Sequence, residues 1–234
     1  MVWLTGRSLA PKVFFMQANY VQRLRFQFSK DGPARYISHL DLARTLERAF
    51  NRARLPVAYT RGFNRRPRMQ FATALPLGYT SSCELADVLL AEALEPAAAQ
   101  TQMMSRMAPG LEILSVWEVP AKAPSLQAST LNSTYLATPL DPVDPANLRA
   151  GIDAILGAPE ILRERRGKSY DLRPLVEALW LDTEAATGLR IGMRLALQPS
   201  LTGRPDEVLA ELGLDPLDVR VHRTELVMAE IEVQ

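Results

Sequence analysis

Histidine and arginine are the side chains here best suited to chemistry, and they cluster. His39 stands in Tyr36-Ile37-Ser38-His39-Leu40-Asp41-Leu42-Ala43-Arg44, and Arg61, Arg65, Arg66 and Arg68 crowd around Phe63 within residues 61–68. Ser38 with Asp41 three residues later reads as a helix start. Free backbone N–H groups and the positive dipole end favour an anion there and disfavour a protonated imidazole. His39 is therefore expected to be neutral near pH 7, able to donate or accept a hydrogen bond. Arg44 and Arg48, one turn apart, extend positive charge along the helix flank, and the arginine loop is expected to close over it. A phosphate suits such a place, so Ser38, His39, Arg44, Arg48, Arg61, Arg65, Arg66 and Arg68 are the candidate anion- or RNA-binding residues. Most have a plainer reading as cap, hydrogen-bonding group, solvated helix face or turn. Four arginines in eight residues with no acidic neighbour fit that reading least well.

Charge is distributed unevenly around these residues. The 234-residue chain carries 27 basic and 26 acidic side chains, yet residues 23–73 hold twelve basic against three acidic. The remainder has fifteen basic and twenty-three acidic, so the molecule is polarised between its parts. Eleven of the twelve are arginine, the side chain suited to bidentate phosphate or carboxylate contacts.

The elements that must position these groups follow from periodicity. Leu24, Phe26 and Phe28 alternate with Arg23, Arg25 and Gln27, the pattern of a half-buried strand whose open face would carry the arginines. A turn at Lys30-Asp31-Gly32-Pro33 leads to a helix capped by Ser38, with Leu42, Leu46, Ala49, Phe50 and Ala53 as its buried stripe and its end before Pro56. Strand pieces at 56–60 and 69–75 flank the arginine loop. A strand over 83–90, a helix over 96–107 opened by proline, and a strand over 111–119 complete β-α-β-β-α-β. This predicts a ferredoxin-like (split βαβ) domain over 20–119. Residues 120–129 have linker composition, and 130–234 read as a second ferredoxin-like domain. Its strands are expected at 130–138, 160–166, 189–197 and 218–227, with helices at 144–156 and 205–212. The fold class expected is α+β, two tandem ferredoxin-like halves with antiparallel sheets. Residues 1–19 read as a disordered extension, with Met16 an alternative first residue.

Several chemistries fall away. Apolar residues make up 47% and charged residues 23%, ordinary for a globular protein. Cys83, His39 and His222 are too few soft ligands for a zinc or iron–sulfur site, and the lone cysteine implies no disulfide. No apolar run is long enough to span a membrane. A cytoplasmic protein without metal or cofactor is expected. There is no phosphate-binding glycine loop, Gly-x-Ser-x-Gly elbow or paired-histidine helix. The first strand offers arginine and glutamine on its open face, not the stacking aromatics of an RNA-recognition sheet.

Five stretches, Tyr-Ile-Ser-His-Leu-Asp-Leu-x-Arg (36–44), Leu-Pro-Val-Ala-Tyr-x-x-Gly-Phe-Asn (55–64), Pro-Leu-Gly (76–78), Asp-Leu-Arg-Pro (171–174) and Arg-Pro-Asp-Glu-Val-Leu (204–209), resemble the radical-SAM-linked domain family. That is a bacterial domain of unknown function, found alone or fused behind a radical SAM protein, its standalone members tending to be encoded near RNA-processing genes. The match departs at Arg65-Arg66, where the family tends to carry Pro-His. Radical SAM chemistry needs a three-cysteine cluster site and this chain has one cysteine, so the resemblance implies a non-catalytic accessory protein. It would act with a separate radical SAM protein and bind a phosphate-bearing substrate such as RNA. The alternative is a metal-independent endoribonuclease: His39 as general base, Arg44 or a loop arginine steadying the phosphorane, and Tyr36 or His222 as acid.

Overall fold

In the computed structural model, residues 20–61, 63–165, 167–182, 188–198 and 201–229 are described. The extension expected over 1–19 lies outside them, as does Arg166. The chain runs β1 (Gln22–Lys30), α1 (His39–Arg52), β2 (Met69–Phe71), β3 (Thr80–Leu90), α2 (Pro96–Met104) and β4 (Leu111–Glu118). It continues through α3 (Leu126–Ser129), β5 (Thr130–Pro139), α4 (Pro145–Gly157), β6 (Leu162–Arg165), β7 (Lys168–Asp171) and β8 (Val176–Asp182). The last elements are β9 (Arg190–Gln198), β10 (Leu201–Thr202), α5 (Pro205–Glu211) and β11 (Val219–Met228).

Both halves follow the split βαβ path, with strand order β4-β1-β3-β2 in the first and β11-β5-β9-β8 in the second. The fold is α+β and its sheet is mostly antiparallel. One feature has no signal in the sequence: the two halves share a single nine-stranded sheet. The joint is a short parallel ladder between β11 and β3, with His222 opposite Thr80 and Arg223 opposite Ser81. Further along β3, the same edge is taken by β2, with Phe71 opposite Ala86 and Met69 opposite Val88.

Each half has its own core. In the first, Leu24, Phe26 and Phe28 meet Leu42, Leu46, Ala49 and Phe50 of α1, the rings of Phe26 and Phe50 lying edge to face at 5.6 Å. Burial of such side chains stabilises the fold by roughly 1.5–3 kcal/mol each. Tyr135, Leu148, Ile152, Ile191, Met193, Val208 and Val221 belong to the second core.

Three expectations are corrected. Residues 120–129 are not a free linker: Leu126 is fully buried, Ser125 caps α3, and α3 touches β2, β3 and β9. One apolar residue and one cap suffice to fold this segment against the sheet, which its composition conceals. The strand expected at 160–166 does not join the main sheet, since β6 pairs with β7 as a separate hairpin and leaves Leu162 exposed. The strand in that place is β8, with Val176 and Leu179 buried. The 162–165 segment alternates yet stays outside the main sheet, whereas β8 joins it with a register shift between Val176 and Ala178 that breaks its alternation. Finally, Arg23 and Arg25 do not lie on an open face but are 6% and 4% exposed.

Candidate functional site

The exposed candidate arginines lie along α1 and in the loop beyond its C-terminal end. Arg44 and Arg48 lie on the outer flank of α1, and Arg61, Arg65 and Arg66 stand in solvent around Phe63, whose ring is fully exposed. The loop narrows at its base, where Tyr59 bridges Pro67, Thr60 N–H donates to Arg66 O at 2.9 Å and Arg66 N–H donates to Thr60 Oγ1 at 3.0 Å. That base is tied to the last turn of α1, since Tyr59 Oη donates to Asn51 Oδ1 at 2.6 Å. With 14 residues at ~1.5 Å each, α1 holds the loop roughly 20 Å from Ser38. The loop does not close over the helix start as expected; it extends the basic flank formed by Arg48, Arg52 and Arg54 at the C-terminal end. Cations are favoured there by the helix dipole. Of the loop and flank arginines, Arg44 pairs with Asp41 at 3.3 Å, an exposed contact worth little.

The helix start is served from within. Ser38 Oγ accepts from Asp41 N–H at 3.1 Å and donates to Asp41 Oδ2 at 2.7 Å, so the Asp41 carboxylate already holds the anion-favouring position. His39 packs its ring edge-on against Phe71, 4.9 Å between centroids. Burial pushes its pKa below the ordinary 6.5, with Glu84 opposing and Lys30 adding to the shift. The neutral imidazole expected from the helix end is thus produced chiefly by burial.

Behind His39 lies a buried charged group that sequence reasoning missed. Lys30, Glu84 and Arg223 are 1%, 3% and 1% exposed, at the joint between the halves. Arg223 Nη1 donates to Glu84 Oε1 at 2.8 Å and Arg223 Nη2 to Tyr135 Oη at 2.9 Å, while Lys30 Nζ donates to Ile37 O at 3.3 Å. Burial disfavours the Arg223 cation, yet Glu84 and Tyr135 outweigh it and raise its pKa. Burial lowers the Lys30 pKa, Glu84 opposing and Arg223 assisting. His222 Nδ1 lies 2.7 Å from Thr80 Oγ1, and its ring answers to Asp31, whereas His39 answers to Glu84 and Lys30. The two histidines keep separate partners. Tyr36, the other acid considered, accepts a hydrogen bond from Arg35, whose guanidinium sits 4.6 Å over its ring. Cys83 Sγ contacts Arg223 O, and burial pushes its thiol up to about 11.

On the opposite sheet face a second trio forms. Arg23 Nε and Arg25 Nε each donate to Asp87 at 2.8 Å, and Arg23 Nη1 donates to Ala123 O at 2.6 Å. These arginines are structural cations, and the segment 120–129 that covers them is what removes them from the surface. The available signal was Glu84 and Asp87 inside the apolar run Cys83–Leu90, since a carboxylate in a buried strand requires a cation. Among the described residues, no group of three or more His, Cys, Asp or Glu side chains is placed to hold a metal ion, and no helix is long and apolar enough to cross a membrane.

No curated protein matches the chain. Among solved structures it is similar to a chain of a Cbf5-Nop10-Gar1 complex, at 9% identity and a TM-score of 0.45, covering 86% of this chain and 49% of that one. It is also similar to the acetolactate synthase small subunit from Thermotoga maritima, at 10% identity and a TM-score of 0.26, covering 92% and 99%. The chain thus spans about half the length of the first of these. The family comparison reaches further, because one profile runs from β1, through the His39 helix and the arginine loop, to the start of α5. Over residues 23–205 it matches the family described as "Uncharacterized protein conserved in bacteria (DUF2344)", and the chain belongs to that family.

Proposed function

We propose that the chain binds RNA through the arginine loop and the outer flank of α1, as a non-catalytic accessory protein of a separate radical SAM protein. The observation that carries the RNA reading is Phe63, fully exposed between Arg61 and the pair Arg65-Arg66. An aromatic face in water among guanidinium groups that form no ion pair with the described residues offers a base a stacking surface and its phosphates several cations. The radical SAM part rests on the motif resemblance, and the single cysteine of these 234 residues cannot supply a three-cysteine cluster site. A protein partner would meet a different surface. Tyr36, Leu40 and Leu77 are exposed at the other end of α1, where Gly78 N–H donates to Arg35 O and brings Leu77 alongside.

The test is the salt dependence of binding to single-stranded and hairpin RNA, followed by fluorescence anisotropy between about 50 and 200 mM salt. Replacing Arg61, Arg65 and Arg66 with alanine is expected to flatten the log–log slope by roughly 2, at ~0.7 per phosphate on single strands. No RNA binding by the parent at low salt, or an unchanged slope in the variant, would defeat the reading. For the partner, Leu40→Glu is expected to abolish capture of a radical SAM protein while leaving RNA affinity unchanged.

A further inference from the structure

A cavity of about 350 Å³ opens on the sheet face away from α1 and α2, at the base of the arginine loop. Strand alternation sets this position: Leu24 and Val88 enter the core, so Arg23 and Asp87 point the other way. Three observations there converge. Arg68 Nε is buried and has no hydrogen-bond partner among the described residues, although native structures satisfy about nine in ten buried polar groups. Arg23 and Arg25 share the single carboxylate of Asp87, whose two oxygens already accept four N–H bonds, so this buried trio, of which Arg23 and Asp87 line the cavity, carries one positive charge in excess. Tyr20 lies 5.8 Å from the Arg68 guanidinium and, with Leu89 and Ala121, supplies an apolar and aromatic wall. An anion with a planar apolar body answers all three. The volume sits at the low end of the roughly 300–1,000 Å³ found for small-molecule pockets and suits one nucleotide, not a stack of them.

We propose that this pocket takes a single nucleotide unit, its phosphate on Arg68 and its base against Tyr20 and Leu89. The inference deepens the RNA-binding reading and rests on it: the loop holds the strand by its phosphates, and one unstacked nucleotide enters the pocket at the loop's base.

The experiment titrates the full chain with AMP and, separately, with inorganic phosphate by calorimetry, in the parent, Arg68→Gln and Ala121→Trp, with thermal melts of each. AMP is expected to bind, and inorganic phosphate about tenfold more weakly because it lacks the stacked base. Arg68→Gln is expected to weaken AMP about tenfold, the loss of one charge-assisted hydrogen bond. Ala121→Trp fills the cavity and is expected to abolish AMP binding. Should Ala121→Trp melt early, Arg68→Gln at a partly buried position carries the test. AMP binding that persists unchanged in Arg68→Gln, phosphate binding as tight as AMP, or no AMP binding at millimolar concentration would each overturn the pocket. RNA binding with the loop-dependent slope but without AMP binding would sink the pocket alone. AMP binding without RNA binding would sink the RNA reading and leave a nucleotide site.

Discussion

Arg23, Arg25 and Arg223 are each less than a tenth exposed and hold carboxylates, whereas Arg61, Arg65 and Arg66 stand in solvent at a loop tip. The same side chain serves two purposes set by its surroundings. In the buried group a guanidinium spans strands: Arg23 and Arg25 tie β1 to β3 through Asp87, and Arg223 ties β11 to β3 through Glu84. The second tie matters most, because the parallel ladder joining the halves has only two residue pairs. The exposed group forms no such tie among the described residues. Three of the twelve basic residues in 23–73, namely Arg23, Arg25 and Lys30, are therefore consumed by the fold, and the charge left at the surface is smaller than the local composition suggests.

Removing a shared carboxylate is the strongest way to test the division. Glu84→Gln leaves Lys30 and Arg223 buried without a counter-charge and is expected to cost about 3–5 kcal/mol in urea unfolding. A loss under about 1 kcal/mol would mean that the joint is held by packing and not by charge. Phe63→Ala acts on the other population: RNA affinity should fall by roughly 1–3 kcal/mol while stability stays within about 0.5 kcal/mol. A stability loss comparable to that of Glu84→Gln would show the loop to be structural.

Proton linkage gives a smaller effect. His39 and His222 both have folded pKa values lowered from 6.5, chiefly by burial, so the unfolded chain binds protons first as pH falls. Stability should be full above 6.5 and decline below it, and His39→Gln should remove part of that decline. A flat profile between pH 7 and 5 would contradict the burial of both rings. The smallest effect belongs to Arg54, which sits at φ 57° just past α1. Arg54→Gly should relieve the left-handed strain and raise stability by about 1 kcal/mol in urea unfolding, and an unchanged stability would show that no strain is held there.

Much of the first half was legible from local pattern. The alternation of Leu24, Phe26 and Phe28, the Ser38 cap and the stripe ending at Phe50 each depend on neighbours within a few residues. The candidate site was legible in part: Arg61, Arg65 and Arg66 are exposed as expected, but the loop's tether to Asn51 separates them from His39. Lys30 and Arg223 escaped notice because one looks like a turn residue and the other like an ordinary charged residue of a strand; Glu84 in its apolar run signalled a buried cation without saying which, because its partner lies 139 positions away. β8 escaped because its pattern was no stronger than that of β6.

Periodicity and capping residues determined that Gln22–Lys30 is a strand, that His39–Arg52 is a helix and which of their residues share a face. Whether a face meets solvent was decided by segments far along the chain: residues 123 and 124 covering Arg23, Asp87 lying 64 positions from it, and Glu84 lying 139 from Arg223. The reason is that side-chain periodicity is a property of the backbone at one place, while burial and charge pairing depend on distance in space. Only the tertiary structure brings β3 between β1 and β11, and with it the carboxylates that separate the arginines held by the fold from those left in solvent.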